Sequence, residues 1–370
     1  MRVLVAPDGF KGSLTAVQAA RAIGRGVALG APHAVVELCP LSDGGQGFGS
    51  VLRGAMGGVA RASLVRGPLG ATVRAEWTML SDGETAILES AAAVGLGLVP
   101  VGERRAAETT TAGVGELIRA AMDAGATRIV VGLGGSATTD GGAGMAQALG
   151  VVFDGVESPL TGGRLQSIRG VDVTRRDPRL ASVRLVAASD VDNPLTGSEG
   201  AARVYGPQKG ATAREIDVLD AGLEHLARVA GDPGRVPGDG AAGGLGYGLR
   251  VFLGAGPVRG VDYVLEHTGF EAALKRCDLV LTGEGRLDAQ TAHGKVVAGV
   301  CSRAAARGIP VVALVGAIAD GAESMYAKGL TACFSLCNRP MREVDAVGAA
   351  PVLLEQLAAN IVRLWAAARA

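Results

Sequence analysis

Arg128-Ile129-Val130-Val131 runs directly into Gly132-Leu133-Gly134-Gly135-Ser136-Ala137-Thr138-Thr139-Asp140-Gly141-Gly142-Ala143-Gly144. The first four residues read as a buried strand, and the rest as a loop of glycines, small hydroxyls and one carboxylate. Open α/β sheets bind ligands outside the carboxyl ends of their strands, where this loop falls. Glycine lets backbone N–H groups approach a ligand with no Cβ in the way. Successive N–H groups with a helix start behind them attract an anion. A carboxylate in such a loop cannot pair with phosphate, but suits a metal ion or a substrate hydroxyl. The combination points to phosphoryl chemistry.

The same arrangement recurs on either side. Val3 to Ala6 reads as a strand that Pro7 ends; Asp8-Gly9-Phe10-Lys11-Gly12-Ser13 follows, and Thr15 caps a helix to about Ala28. Val35 to Leu38 is a second strand, leading to Ser42-Asp43-Gly44-Gly45-Gln46-Gly47 and a helix over Phe48 to Met56. Past Gly57 the pattern alternates, predicting antiparallel strands at 59–64, 72–79 and 85–90. Helices are expected at 112–124 and 216–229, with a polar, loop-rich stretch from Gly231 to Gly240. Asp278 to Leu281 reads as a buried strand feeding a loop, Thr282 to Asp288. The tail predicts helices at 294–307, 321–328 and 350–368, and strands at 310–315 and 331–336. This patterning predicts a doubly wound α/β domain from 1–60 plus 285–370, with a second α/β domain, 61–284, inserted into it.

The 370 residues carry 36 Lys+Arg against 36 Asp+Glu, so nothing draws the chain toward nucleic acid or an anionic membrane. Aromatics are 3% of residues, which leaves the cores to Val, Leu, Ile and Ala. The cysteines, Cys39, Cys277, Cys301, Cys333 and Cys337, are odd in number and scattered, as expected of free thiols in a reducing compartment. The apolar run after Met1-Arg2 is too short for a signal peptide or a membrane span, so a cytoplasmic protein is expected. Homo-oligomerisation stays open.

Other clusters stand at strand ends. Ser189-Asp190-Val191-Asp192-Asn193 follows the apolar Arg184 to Ala187; Lys209 sits in the turn Tyr205 to Gly210; Ala241 to Gly246 is a second small-residue loop. Glu284, Arg286, Asp288, Gln290 and Lys295 crowd one junction. Phosphoryl transfer needs backbone donors around phosphates, a carboxylate-held Mg²⁺, cations at the γ-phosphoryl group and an acceptor of the hydroxyl proton. All these residue types are present. Gly294-Lys295 is not a Walker A loop, because Ala289 and Val296 stand where that motif needs glycine and a hydroxyl. Gly132 to Ala137 does fit GxGxxA, with Asp154 at a suitable distance, which keeps a dinucleotide reading open.

Taken together these motifs resemble the bacterial glycerate kinase family, over nearly the whole chain. The resemblance rests on Ala6 to Leu14, Asp43-Gly44-Gly45, Glu89 to Ala93, Gly134 to Met145, Asp190 to Leu195, Gly206 to Ala211, Gly243-Gly244, Thr282 to Gly285 and Gln290 to Lys295. The chain departs from the family pattern at Gly9 (serine), Gln46 (glutamate), Thr139 (asparagine), Ser189 (cysteine) and Val297 (proline), and Gln46 is given no catalytic role. The resemblance implies two α/β domains, one flavodoxin-like, with the active site in the cleft between them. It also implies ATP-dependent phosphorylation of D-glycerate with Mg²⁺, at the 2-hydroxyl to give 2-phosphoglycerate or at the 3-hydroxyl.

On this reading Gly134, Gly135, Ser136 and Thr138 cradle phosphate. Asp190, with Asp288, is the candidate base; Asp140 and Asp190 are the metal candidates. Lys11, Lys209, Arg286 and Lys295 are candidate cations for the γ-phosphoryl group or the substrate carboxylate. Asp8, Asp43, Gly44, Asn193, Glu284 and Gln290 complete the expected substrate and nucleotide contacts. The rivals are a sugar-acid binding protein without catalysis and an NAD-dependent oxidoreductase acting on a hydroxy acid.

Overall fold

The computed structural model describes residues 1–369, apart from the side chains at 292 and 293. The chain divides into two compact units, Met1–Asp43 with the chain from Val261 on, and Gly44–Gly260.

Among the described residues, five parallel strands form the first unit's sheet, in the order Ala332–Ser335, Val311–Ile318, Leu279–Leu287, Arg2–Val5, Val35–Leu38. Numbered along the unit, that order is 2-1-3-4-5, the flavodoxin-like winding, whose switch point lies between Arg2–Val5 and Leu279–Leu287. The strands are near-continuous apolar runs because both faces are covered. Val3, Val5, Leu279, Leu281, Val312 and Leu314 face helices Ala16–Gly30 and Glu343–Ala367. Thr15 caps the first of these helices in a reciprocal box with Gln18.

Helix Glu343–Ala367 begins seven residues before the expected start at 350 and carries Pro351 in its interior. A proline there removes the N–H that would bond the carbonyl four residues back. That carbonyl is Val347's, and the Ser13 hydroxyl donates to it at 2.9 Å. The expected loop from Thr282 is also strand: residues 282–287 stay in register with 313–318. Glycines are what let these two strands run together, since a Cβ on Gly283 would fall on the Leu314 carbonyl and one on Gly316 on the Gly285 carbonyl.

In the second unit six strands are ordered Gly256–Val258, Arg184–Ala188, Arg128–Gly132, Thr85–Glu89, Thr72–Leu80, Gly58–Arg66. The first four are mutually parallel; the last two add antiparallel, as the alternation predicted. Its core holds Trp77, Leu88, Leu117, Ile118, Val131, Phe153, Tyr247 and Phe252. The stretch 241–246 is not a simple loop. Ala242, Gly243 and Gly244 take positive φ (52°, 73° and 88°), and the chain then continues as helix to Leu253.

The crossings between units fall earlier than the 60 and 284 read from pattern. Helix Phe48–Met56 packs on Thr72–Leu80 and Thr85–Glu89, so it goes with the second sheet. Val261 and Leu265 pack against Gly299 in helix Val296–Ala305, so they go with the first. The dinucleotide alternative fails on topology. Val152–Asp154 pairs antiparallel with Gly170–Asp172 in a separate ribbon, so Asp154 does not end a strand beside Arg128–Gly132.

Candidate active site

In the second unit the parallel strands deliver Glu89, Gly132 to Gly135, Ser189-Asp190 and Arg259 to one edge of the sheet. Gly44 and Gly45 pack onto these strand ends. A Cβ on Gly134 would stand 2.8 Å from Gly45 Cα, so Gly134 could not carry a side chain and keep this approach. The Glu89 carboxylate accepts from Gly47 N–H (3.1 Å) and Gly49 N–H (2.9 Å), which fixes the start of helix Phe48–Met56. Burial, only partly offset by those two donors, raises the Glu89 carboxyl above its ordinary 4.5.

Asp190 follows Arg184–Ala188 in a loop shaped by Ser189, whose Oγ accepts from Val191 N–H at 3.2 Å. Arg259 follows Gly256–Val258, the parallel neighbour, and its Nε lies 3.6 Å from Asp190 Oδ1. Sequence reading missed Arg259 entirely. Asn193, expected as a substrate contact, is used locally: its Nδ2 donates to the Glu199 carbonyl (2.8 Å) and its Oδ1 accepts from Tyr205 OH (2.8 Å).

Three residues of the glycine loop take parts other than those expected. Asp140, read as a metal ligand, is 0% exposed. Its Oδ2 accepts from Thr111 N–H (2.7 Å), Thr111 Oγ–H (2.8 Å) and Gly144 N–H (3.2 Å), and its Oδ1 from Gly142 N–H (3.1 Å). That carboxylate is a clamp closed on four donors, which leaves no face for a cation. Burial nevertheless raises its carboxyl above the ordinary 3.8.

Lys209, read as a phosphate cation, is 3% exposed. Its Nζ donates to the Thr138 carbonyl (2.6 Å) and to Ser136 Oγ (3.2 Å), inside the protein. Burial pulls this ammonium down to about 7, while the charge of Asp140 works the other way. Gly243 explains the close packing here, since a Cβ on it would fall 1.8 Å from the Thr138 carbonyl. Thr138 is itself 0% exposed and cannot touch a ligand in this conformation. Of the four expected cradle residues, Gly134 and Gly135 reach the surface, while Ser136 and Thr138 are buried.

In the first unit Asp8 follows Arg2–Val5, Asp43 follows Val35–Leu38, and Glu284 lies within Leu279–Leu287. Asp8 Oδ1 accepts from Gly9 N–H at 2.6 Å, and Glu284 Oε1 from Thr291 Oγ–H at 2.9 Å. Burial first, then the charges of Asp43 and Glu284, lift the Asp8 carboxyl well above its ordinary 3.8, while the Gly9 N–H and Lys295 oppose. Burial likewise pushes Glu284 up to about 7, with Asp288 and Asp43 adding to it and Thr291 and Lys295 opposing. Lys295 is the nearby cation. Asp288 caps the 3₁₀ turn Ala289–His293 by accepting from Gln290 N–H at 2.9 Å, which places Gln290 in a structural turn. Lys11 and Arg286 are exposed, and Arg286 Nε lies 3.6 Å from Asp288 Oδ2.

Residues 3–366 match the model of the glycerate kinase family. The chain belongs to that family. It is 47% identical to the glycerate kinase of Bacillus subtilis (strain 168) over 369 residues, 98% of this chain and 97% of that one. It is 43% identical to the glycerate 2-kinase of Escherichia coli (strain K12) over 344 residues, 91% of this chain and 90% of that one. A crystal structure assigned as glycerate kinase 2 of Salmonella typhimurium LT2 superposes with a TM-score of 0.85 at 41% identity, covering 100% of this chain and 99% of that one. The family is a kinase family, so this protein is an enzyme, and the oxidoreductase and binding-protein readings fall.

Kinases of this kind handle a divalent cation together with the nucleotide, through one or two carboxylates plus waters and phosphate oxygens. Among the described residues no group of three or more His, Cys, Asp or Glu forms a ready-made metal cage. One or two of the carboxylates of Asp8, Asp43 and Glu284 supply the kind of hard oxygen such a cation takes. Part of what raises Asp8 and Glu284 is like charge, which a cation relieves.

Proposed function

We propose that the chain transfers the γ-phosphoryl group of ATP to the 2-hydroxyl of D-glycerate, giving 2-phosphoglycerate and ADP. The observation that carries this reading is the match to the glycerate kinase family over residues 3–366, with a relative named glycerate 2-kinase at 43% identity. The chemistry at the strand ends supports it. Asp190 is assigned the proton of the acceptor hydroxyl, as a carboxylate at a strand end beside a cation. Asp8, Asp43 and Glu284 are assigned the Mg²⁺ that accompanies ATP, which when bound neutralises phosphate charge. Lys295, Lys11 and Arg286 are assigned to phosphate oxygens, and the N–H groups of the exposed Gly134-Gly135 turn to an anionic oxygen.

Asp140, Lys209, Thr138 and Asn193 are assigned no ligand; they hold the loops that carry the others. Asp288 and Gln290 shape the turn before Lys295. The cysteines, all free among the described residues, fit the reducing cytoplasm in which we place the enzyme. Its partners are small molecules.

The test is ATP consumption with D-glycerate and Mg²⁺, followed by phosphorus NMR of the product. Turnover with the phosphorus signal split by the single proton on carbon 2 is expected. Splitting by the two protons of carbon 3 would move the acceptor to the 3-hydroxyl, and no turnover by folded protein would refute the reading.

A further inference from the structure

Arg259 stands outside every motif read from the sequence, yet the topology brings it to the proposed base. Gly256–Val258 and Arg184–Ala188 run parallel with Val258 opposite Ala188. Ser189 N–H donates to the Val258 carbonyl at 3.0 Å, so the two chains leave the sheet together. Arg259 and Asp190 therefore emerge side by side, with Nε and Oδ1 3.6 Å apart. The two side chains differ in exposure: Asp190 keeps 6% of its surface open, Arg259 49%. Asp190 is nearly buried and Arg259 sets a cation beside its charge, while the guanidinium itself stays half in water. Arg259 also has the planar five-donor fork that suits a carboxylate.

We infer that Arg259 binds the carboxylate of the acceptor acid and so selects a 2-hydroxy acid whose hydroxyl then lies at Asp190. This rests on the glycerate kinase reading above and deepens it. In a 2-hydroxy acid the carboxylate and the reacting hydroxyl sit on adjacent carbons. Their receptors must then be immediate neighbours, as Arg259 and Asp190 are. A 3-hydroxyl lies one bond further from the carboxylate and would call for a wider spacing. In the step itself Asp190 takes the proton of the C2 hydroxyl. The C2 oxygen forms its bond to the γ-phosphorus as the bond from that phosphorus to the β–γ bridging oxygen breaks, and ADP leaves with that oxygen and its electron pair. Arg259 remains paired with the carboxylate throughout. It is a specificity contact, made equally in the ground and transition states.

The test compares wild type, Arg259→Gln and Arg259→Lys on D-glycerate and on glycerol, which lacks the carboxylate. Isothermal titration of D-glycerate binding without nucleotide serves as a second readout. Arg259→Gln should raise the KM for D-glycerate at least tenfold and leave the KM for ATP within twofold, with any turnover of glycerol also within twofold of wild type. Arg259→Lys, with a point charge in place of the fork, should fall between. An unchanged KM for D-glycerate, or an equal loss on glycerol, would overturn the inference. If wild type turns nothing over, the kinase reading fails on its own. Arg259 is then judged by calorimetry: an at least tenfold weaker D-glycerate affinity in Arg259→Gln upholds it, and an unchanged affinity overturns it.

Discussion

Replacing Asp140 separates a structural clamp from a metal ligand. Its carboxylate accepts from three backbone N–H groups and one hydroxyl, and the residue is 0% exposed. In Asp140→Ala the Thr111 hydroxyl can turn away, but the N–H groups of Thr111, Gly142 and Gly144 stay buried without an acceptor. A buried orphan donor costs about 1–3 kcal/mol, so three approach about 3–9 kcal/mol. Losing a charge that burial disfavours offsets part of this, which brings the expectation to about 3–5 kcal/mol. Asp140→Asn can keep an oxygen at the three-donor position and turn its NH₂ toward Gly142 N–H, one clash in place of three orphans, at about 1–3 kcal/mol. The assay is urea unfolding followed by Trp77, which lies in the same unit, in a Trp365→Phe background, together with a Mg²⁺ titration of turnover. The clamp predicts the order wild type, Asn, Ala in stability, with an unchanged Mg²⁺ requirement in Asp140→Asn. An Asn variant with a wild-type unfolding midpoint and a tenfold higher Mg²⁺ requirement would refute the reasoning and restore Asp140 as a ligand.

Two further outcomes follow from groups in the first unit. Glu284 has its carboxyl pushed up to about 7 from an ordinary 4.5; between these values the folded state holds a proton that the unfolded state has lost, so stability falls as pH rises and levels off above about 7. Glu284→Gln keeps an acceptor for Thr291 and removes the charge, so without metal or nucleotide it should exceed wild type by about 3 kcal/mol at pH 8 and match it near pH 4.5, read from Trp365 unfolding; equal stabilities at pH 8 would contradict this. Ser13→Ala should cost about 0.5–1 kcal/mol by removing the hydroxyl's exposed bond to the Val347 carbonyl, and nearly nothing in a Pro351→Ala background, where the helix supplies its own donor; a cost that persists in that background would show that Ser13 acts elsewhere.

Most of the architecture could be read from the chain because its signals are local. Pro7 follows the strand it was expected to end, Thr15 and Gln18 form the reciprocal cap, and the alternation past Gly57 gives the antiparallel strands. Errors arose where a local rule met a tertiary exception. Pro351 argues for a helix start, but a hydroxyl from Ser13, far away in sequence, completes the helix around it. Gly283 and Gly285 argue for a loop, yet they lie in a strand paired along its length. Arg259 was hidden behind Gly256-Pro257-Val258, which reads as a turn. At the sheet's edge a proline forfeits no ladder bond, and the three residues are a strand. A short apolar run ended by an arginine, at an edge where proline is tolerated, is the signal that could have found it.

The site residues were chosen by type, and burial then divides them in a way type could not. Asp140 and Lys209 are the most deeply buried of the charged ones, and both are met by protein partners: the carboxylate by four donors, the ammonium by a carbonyl and a hydroxyl. Asp8 and Glu284 are also withdrawn from water, but each has one protein donor and faces other carboxylates. A charge whose burial is compensated inside the protein needs no ligand to explain it. A set of carboxylates that raise one another is costly until a cation arrives. Depth of burial therefore does not by itself mark function in this chain; what sets Asp8 and Glu284 apart, and leads us to assign them the cation, is that neighbouring carboxylates raise them.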